Sequence, residues 1–117
     1  MSGETIYHIC RRKEWQAARE AGHYAGSSQD RMDGFIHFSG PDQVVASAAK
    51  HRAGQTDLVL VAVDVGALGS MLRWEASRGG ALFPHLYGQL LMTAVRWTKP
   101  LSLGADGRHV FPPLEGS

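Results

Sequence analysis

The alternation of apolar and polar positions predicts the elements one after another. Residues 5–10, Thr-Ile-Tyr-His-Ile-Cys, read as a strand with Ile6, His8 and Cys10 on one face and Tyr7 and Ile9 on the other. Trp15, Ala18 and Ala21 form one stripe, which predicts a helix over 11–21 that Gly22 ends. The polar, glycine-containing stretch 23–33 reads as a loop, and Asp33-Gly34 turns the chain into a strand over 35–39. A second helix follows. Ser39 or Gly40 caps it, Pro41 takes its first position, Asp42 sits at its positive end, and Val44, Val45, Ala48 and Ala49 form its stripe before Gly54. The unbroken apolar run 58–63 predicts a central strand buried on both faces. Residues 72–75 alternate, with Leu72 and Trp74 on one side and Arg73 and Glu75 on the other, and Trp74 is expected to back the others from the core. Gly79-Gly80 turns into a strand over 81–83. A strand over 95–101 follows, with Pro100 placing its end at a sheet edge, and 106–111 adds one more short strand. Strands outnumber helices and both helices come early, so the fold class is α+β rather than a βαβ repeat.

Composition narrows the function classes. The chain has 117 residues, enough for a single domain over 1–117 with one core. Twelve basic against eleven acidic residues leave a net charge of +1, which offers no general attraction to nucleic acid or an anionic membrane, although a local basic patch stays open. One cysteine, Cys10, excludes an intrachain disulfide and any cysteine-rich zinc site; it reads as a small buried thiol. No run approaches the ~18–20 apolar residues of a membrane span, and Arg11, Arg12 and Lys13 break any signal-peptide pattern. The expectation is a cytoplasmic protein without a membrane partner.

Two clusters carry candidate chemistry. His8, His37 and His85 sit in Tyr-His-Ile-Cys, Phe-Ile-His-Phe-Ser and Phe-Pro-His-Leu-Tyr-Gly. Imidazole can ligate a metal, move a proton or bond a ribose hydroxyl. The alternative is a set of half-buried histidines satisfied by backbone carbonyls. Arg73 and Glu75 share one strand face, so the arginine fork can meet a phosphate while the carboxylate orients it or takes a sugar hydroxyl. The alternative there is a surface ion pair worth under about 1 kcal/mol. Arg78-Gly79-Gly80 reads as a flexible loop over a ligand or simply as a hairpin turn. Walker, G-x-G-x-x-G, H-E-x-x-H and G-x-S-x-G motifs are absent.

These strings, from Ile6 to Pro112 and in this order, resemble the bacterial domain of unknown function 952, with the family-like region over about 6–112. The strand histidine, the later x-His-x-Ser strand, the apolar strand ending in Asp64-Val65 and the arginine strand also resemble, more distantly, the RNA 2′-phosphotransferases of the ADP-ribosyltransferase fold. That resemblance implies a cleft between two small, mostly antiparallel sheets, with NAD as cofactor and a small-molecule nucleotide as partner. It implies His37 and Glu75 as catalytic residues and His8, Ser39 and Arg73 as cofactor-binding residues, with no resident metal. By chemical character rather than by alignment, His85 joins the catalytic set and Tyr87 the cofactor-binding set. Tyr7 stands where the phosphotransferases have an arginine, and Phe35 where they have a further histidine. Three readings stay open at this point: an ADP-ribosyl-transfer enzyme, a non-catalytic nucleotide-binding module, and a metal site built from His8, His37 and His85.

Overall fold

The computed structural model describes residues 4–77 and 79–114. The elements run β1 (Thr5–Arg11), α1 (Arg12–Ala21), β2 (His23–Tyr24), α2 (Ser28–Asp33), β3 (Ile36–His37), α3 (Val44–His51), β4 (Leu58–Asp64), β5 (Leu72–Ala76), β6 (Leu82–Leu86), β7 (Leu90–Leu91), β8 (Val95–Leu103) and β9 (His109–Val110). Single 3-10 turns cover Val65–Ala67, Gly69–Met71 and Met92–Ala94. No helix among the described residues is long and apolar enough to cross a membrane.

The apolar run becomes β4, the inner strand of an antiparallel sheet ordered β1-β4-β8-β9. Each face of this sheet has its own core. On one, Ile6, Cys10, Val59, Val61 and Val63 pack against Trp15 and Ala18 of α1 and against Ile36, Phe38 and Leu86. On the other, Tyr7, Ile9, Leu58, Leu60 and Ala62 pack against Val44 and Ala48 of α3. The predicted division of β1 into two faces therefore holds, and it sends His8 toward the first face.

A three-stranded antiparallel sheet, β3-β6-β5, lies beyond that face, and a two-stranded sheet, β2-β7, lies beside it. The β5–β6 hairpin closes through Ser77 N–H bonding to the Ala81 carbonyl, with Gly80 at φ 88°, a conformation that favours glycine. The turn reading of Gly79-Gly80 thus holds; Arg78 lies outside the described residues.

Several expectations need correction. The stretch 23–33 is not a loop: it forms β2 and α2, and Ser27 and Asp30 cap α2 reciprocally. There are three helices and three sheets among the described residues, rather than two of each. The second predicted helix, now α3, begins at Val44, because residues 41–43 form a turn. The strand expected over 81–83 continues through Pro84 to Leu86, which brings His85 into the sheet. β8 likewise runs on past Pro100 to Leu103. Pro100 is tolerated because β8 has only β4 beside it there; β9 begins pairing at Ser102. Trp74 does not back a site from the core, since it is 42% exposed.

Candidate functional site

The candidate site forms where β3, β6 and β5 lie edge to edge. Antiparallel register sets His37 opposite His85, and His85 opposite Arg73. Alternation then places Arg73 and Glu75 of β5 and Phe83 and His85 of β6 on one face, while Pro84 and Leu86 turn into the core. Glu75 reaches diagonally to His85, whose Nδ1 lies 2.8 Å from Glu75 Oε1. The Tyr87 hydroxyl donates to the same oxygen at 2.7 Å. These two hydrogen bonds, the His85 one foremost, hold the Glu75 carboxyl below its ordinary pKa; the Glu75 partner pushes the Tyr87 phenol up. The Arg73 guanidinium lies over the Tyr87 ring, 5.4 Å from its centre.

Phe35 joins the two histidines. Its ring stacks on His85 at 4.1 Å and 25° and stands 4.5 Å from His37 and 5.2 Å from Tyr87. His37 and His85 meet edge to face at 5.5 Å. The face thus carries two imidazoles, each bonded to a carboxylate, around a shared aromatic ring.

His37 owes its place to Asp30. This buried carboxylate accepts from His37 Nδ1 at 2.6 Å and from the His37 backbone N–H at 3.2 Å through one oxygen, and from Ser27 N–H at 2.8 Å through the other. Burial opposes its ionisation, but the His37 bond, the nearby His8 and the backbone donors prevail and bring its pKa down to about 2. Gly26 makes room for it: at φ 99°, a Cβ there would stand 2.7 Å from Asp30 Cβ. The other His37 nitrogen, Nε2, faces Asp33 at 3.1 Å. A neutral ring has one N–H and serves one carboxylate; a doubly protonated ring serves both.

His8 lies one layer deeper, 4% exposed. Its Nδ1 is 2.6 Å from the His37 carbonyl oxygen, which can only accept, so Nδ1 carries the proton. Burial lowers the His8 pKa, and the bare Nε2 accepts from the Tyr24 hydroxyl at 2.8 Å. Both ring nitrogens are therefore engaged internally. Ser39 is drawn off toward α3. Its hydroxyl donates to that of Ser47 at 3.1 Å, and its backbone pairs with Tyr7 in both directions. Cys10 is fully buried, and burial pushes its thiol up to about 12, in keeping with an inert core residue.

Five of the seven residues expected from the sequence therefore meet on one face: His37, Arg73, Glu75, His85 and Tyr87. His8 supports that face from below, and Ser39 points away from it. Asp30, Asp33, Tyr24 and Phe35 were missed as site residues. The Ser27-x-x-Asp30 capping box was a legible signal for α2 and hence for Asp30; Tyr24 had none. No group of three or more His, Cys, Asp or Glu among the described residues is arranged to hold a metal ion.

Comparison with known proteins gives this arrangement a family. The family model for a protein of unknown function, DUF952, matches residues 9–98. The chain belongs to the DUF952 family. It is similar to protein CC0527 from Caulobacter crescentus. The crystal structure of CC0527 is 50% identical, with a TM-score of 0.86 over 91% of this chain and 93% of that one. Its solution NMR structure is 51% identical, with a TM-score of 0.81 over 89% and 90% of the two chains. No curated protein matches. For a DUF952 protein, the histidine–carboxylate pairs described above are the most concentrated chemistry among the described residues.

Proposed function

We propose that the exposed face of the β3-β6-β5 sheet binds an NAD- or ADP-ribose-type nucleotide and performs ADP-ribosyl transfer. One observation carries this reading. Glu75 is bonded at once to His85 and Tyr87, with the Arg73 guanidinium beside them on the same sheet face. The donor set suits such a ligand. Arg73 forms no ion pair with a carboxylate among the described residues and can take a phosphate. A cavity of about 290 Å³ beside Phe35, lined also by Asp30, Arg31, Gly34, Gly88 and Gln89, has the size for a single ring system.

Glu75 stabilises the positive charge that develops at the anomeric carbon as the bond to nicotinamide breaks, and its negative charge is fixed in place by His85 and Tyr87. The incoming hydroxyl displaces Asp33 from His37 Nε2, which takes its proton while Nδ1 stays anchored on Asp30. The bound nucleotide supplies the electrophilic carbon and the leaving group. His8 is a positioning residue in this scheme, holding the His37 carbonyl without touching the ligand. Ser39 has no direct part, which revises the cofactor-binding roles that the distant resemblance implied for both.

Binding without turnover is the second reading, favoured by the Glu75 Oε1 atom already accepting two hydrogen bonds. Ligand-detected NMR with NAD, ADP-ribose and AMP, alongside an assay for released nicotinamide, tests both. Binding weakened by Arg73→Gln together with nicotinamide release supports transfer; binding without release over hours supports the module. No binding of any of the three at millimolar ligand overturns both.

A further inference from the structure

β5 is the outer strand of the β3-β6-β5 sheet, and its far edge has no partner strand among the described residues. The register decides which backbone groups that edge presents. Tyr87 N–H bonds to the Met71 carbonyl and Ser77 N–H to the Ala81 carbonyl, so Arg73 and Glu75 between them turn their backbone groups toward β6. Leu72, Trp74 and Ala76 turn theirs outward. Pro84, opposite Trp74, has no N–H to draw the tryptophan inward. An open row of donors and acceptors is a template for another strand.

Charges on an edge strand ordinarily keep other strands away. On β5 they stand in self-complementary order, with Arg73 and Glu75 one residue to either side of Trp74. Two copies set antiparallel with Trp74 on a two-fold axis bring each Arg73 opposite Glu75 of the other copy. Moving the centre to Arg73 or to Glu75 sets like charges opposite each other, so charge selects one register. In that register Trp74 meets Trp74, and Leu72 meets Ala76, as hydrogen-bonded pairs that use every outward backbone group. Arg73 and Glu75 form the closer pair between them. The side chains fit the same arrangement. Glu75 Oε1 accepts from His85 and Tyr87, while Oε2 has no partner among the described residues. Arg73 forms no ion pair with a described carboxylate. On the opposite face Trp74 and Leu82 are 42% and 53% exposed, and pairing covers the tryptophan with its own copy.

We propose that β5 pairs with β5 of a second copy, joining the three strands of each copy into one continuous sheet across a two-fold axis. The contact is isologous and consumes the edge, so association stops at the dimer. One short strand a side is a small interface, and the dimer forms at about 10⁻⁴ M chain and above. The inference does not rest on nucleotide binding: the ion pair occupies one edge of the Arg73 guanidinium and leaves donors for a phosphate.

Sedimentation equilibrium of the full chain from about 10 µM to 1 mM tests the proposal, with a reversible monomer–dimer equilibrium as the expected result. Trp74→Lys, at an exposed position, sets two ammonium groups together on the axis and should weaken the dimer about tenfold or more. Arg73→Glu and Glu75→Arg should each be monomeric alone, whereas their equimolar mixture should recover the dimer, since every charge across the axis then meets its opposite. An amide spectrum of each variant checks that it is folded. In a mixture of labelled and unlabelled wild-type chains, isotope-filtered NOE spectra should join Arg73 Hα to Glu75 Hα, the contact of the closer pair. If either charge variant fails to fold, Trp74→Lys and this NOE decide. A wild-type chain that stays monomeric at 1 mM overturns the proposal. So does a dimer that Trp74→Lys leaves intact, a folded charge-variant mixture that stays monomeric, or a dimer without the Arg73–Glu75 NOE.

Discussion

The two larger sheets of this protein are built from similar strands and put to opposite uses. In the β1-β4-β8-β9 sheet, β4 is covered on both faces, by α1 and by α3, and every residue from Leu58 to Val63 is buried. In the β3-β6-β5 sheet Pro84 and Leu86 meet the core, while the other face carries Arg73, Glu75 and His85, the last buried beside the Phe35 ring. A strand covered twice can carry only apolar side chains. A strand covered once can hold charges in fixed register at little cost in desolvation. The first sheet carries the two apolar cores and the second carries the polar cluster. Asp30 belongs to neither, yet it ties the second sheet to α2 through His37.

The sharpest way to break the division is to remove mass from the doubly covered strand. Leu60 is fully buried, so Leu60→Ala should lower stability by about 3–5 kcal/mol, measured by urea denaturation, while any remaining folded protein keeps its ligand response. Asp30→Ala should come next, at about 2–3 kcal/mol, because it strands the Ser27 and His37 N–H groups. Unlike the leucine change, it should also release the His37 ring and so impair ligand binding, measured by the same NMR titration.

A pH series separates the two parts of the buried network. The folded His8 pKa lies below its ordinary 6.5, so its contribution is fully present above pH 6.5 and is lost as pH falls below that value, where only the unfolded chain takes up the proton. The folded Asp30 pKa is about 2 against an ordinary 3.8, so its contribution is lost between about pH 4 and pH 2. Urea midpoints should therefore fall in two stages on acidification, with the lower stage absent in Asp30→Asn. The smallest effect on stability belongs to Glu75→Gln, on the open sheet face. Its urea midpoint should match the wild type, whereas nicotinamide release should fall by about 10²-fold or more.

How much of this was legible depended on what set each element. β1, β4 and β5 announced themselves through alternation or an unbroken apolar run, and α1 through its stripe and Gly22, which caps it at φ 87°. Arg73 and Glu75 could be placed on one face because strand periodicity is two. The region 23–33 escaped because α2 is too short to show a stripe and because its defining residue, Asp30, is a charge buried by tertiary contacts with His37 and His8. His8 was visible as an unusual strand histidine, but its engagement by Tyr24 and the His37 carbonyl depends on segments 16 and 29 residues away, which no local pattern encodes. β6 was cut short at Phe83 because Pro84 reads locally as a stop, although the pairing with Trp74 carries the strand through.

The central claim is that the singly covered sheet face is the ligand site. The most direct test is a ¹H–¹⁵N titration of the full chain with ADP-ribose. The account predicts saturable shifts concentrated at Phe35, His37, Arg73, Glu75, His85 and Tyr87, with the amides of β1 and β4 still. Shifts centred on the β1-β4-β8-β9 sheet, or no shifts at millimolar ligand, would contradict it.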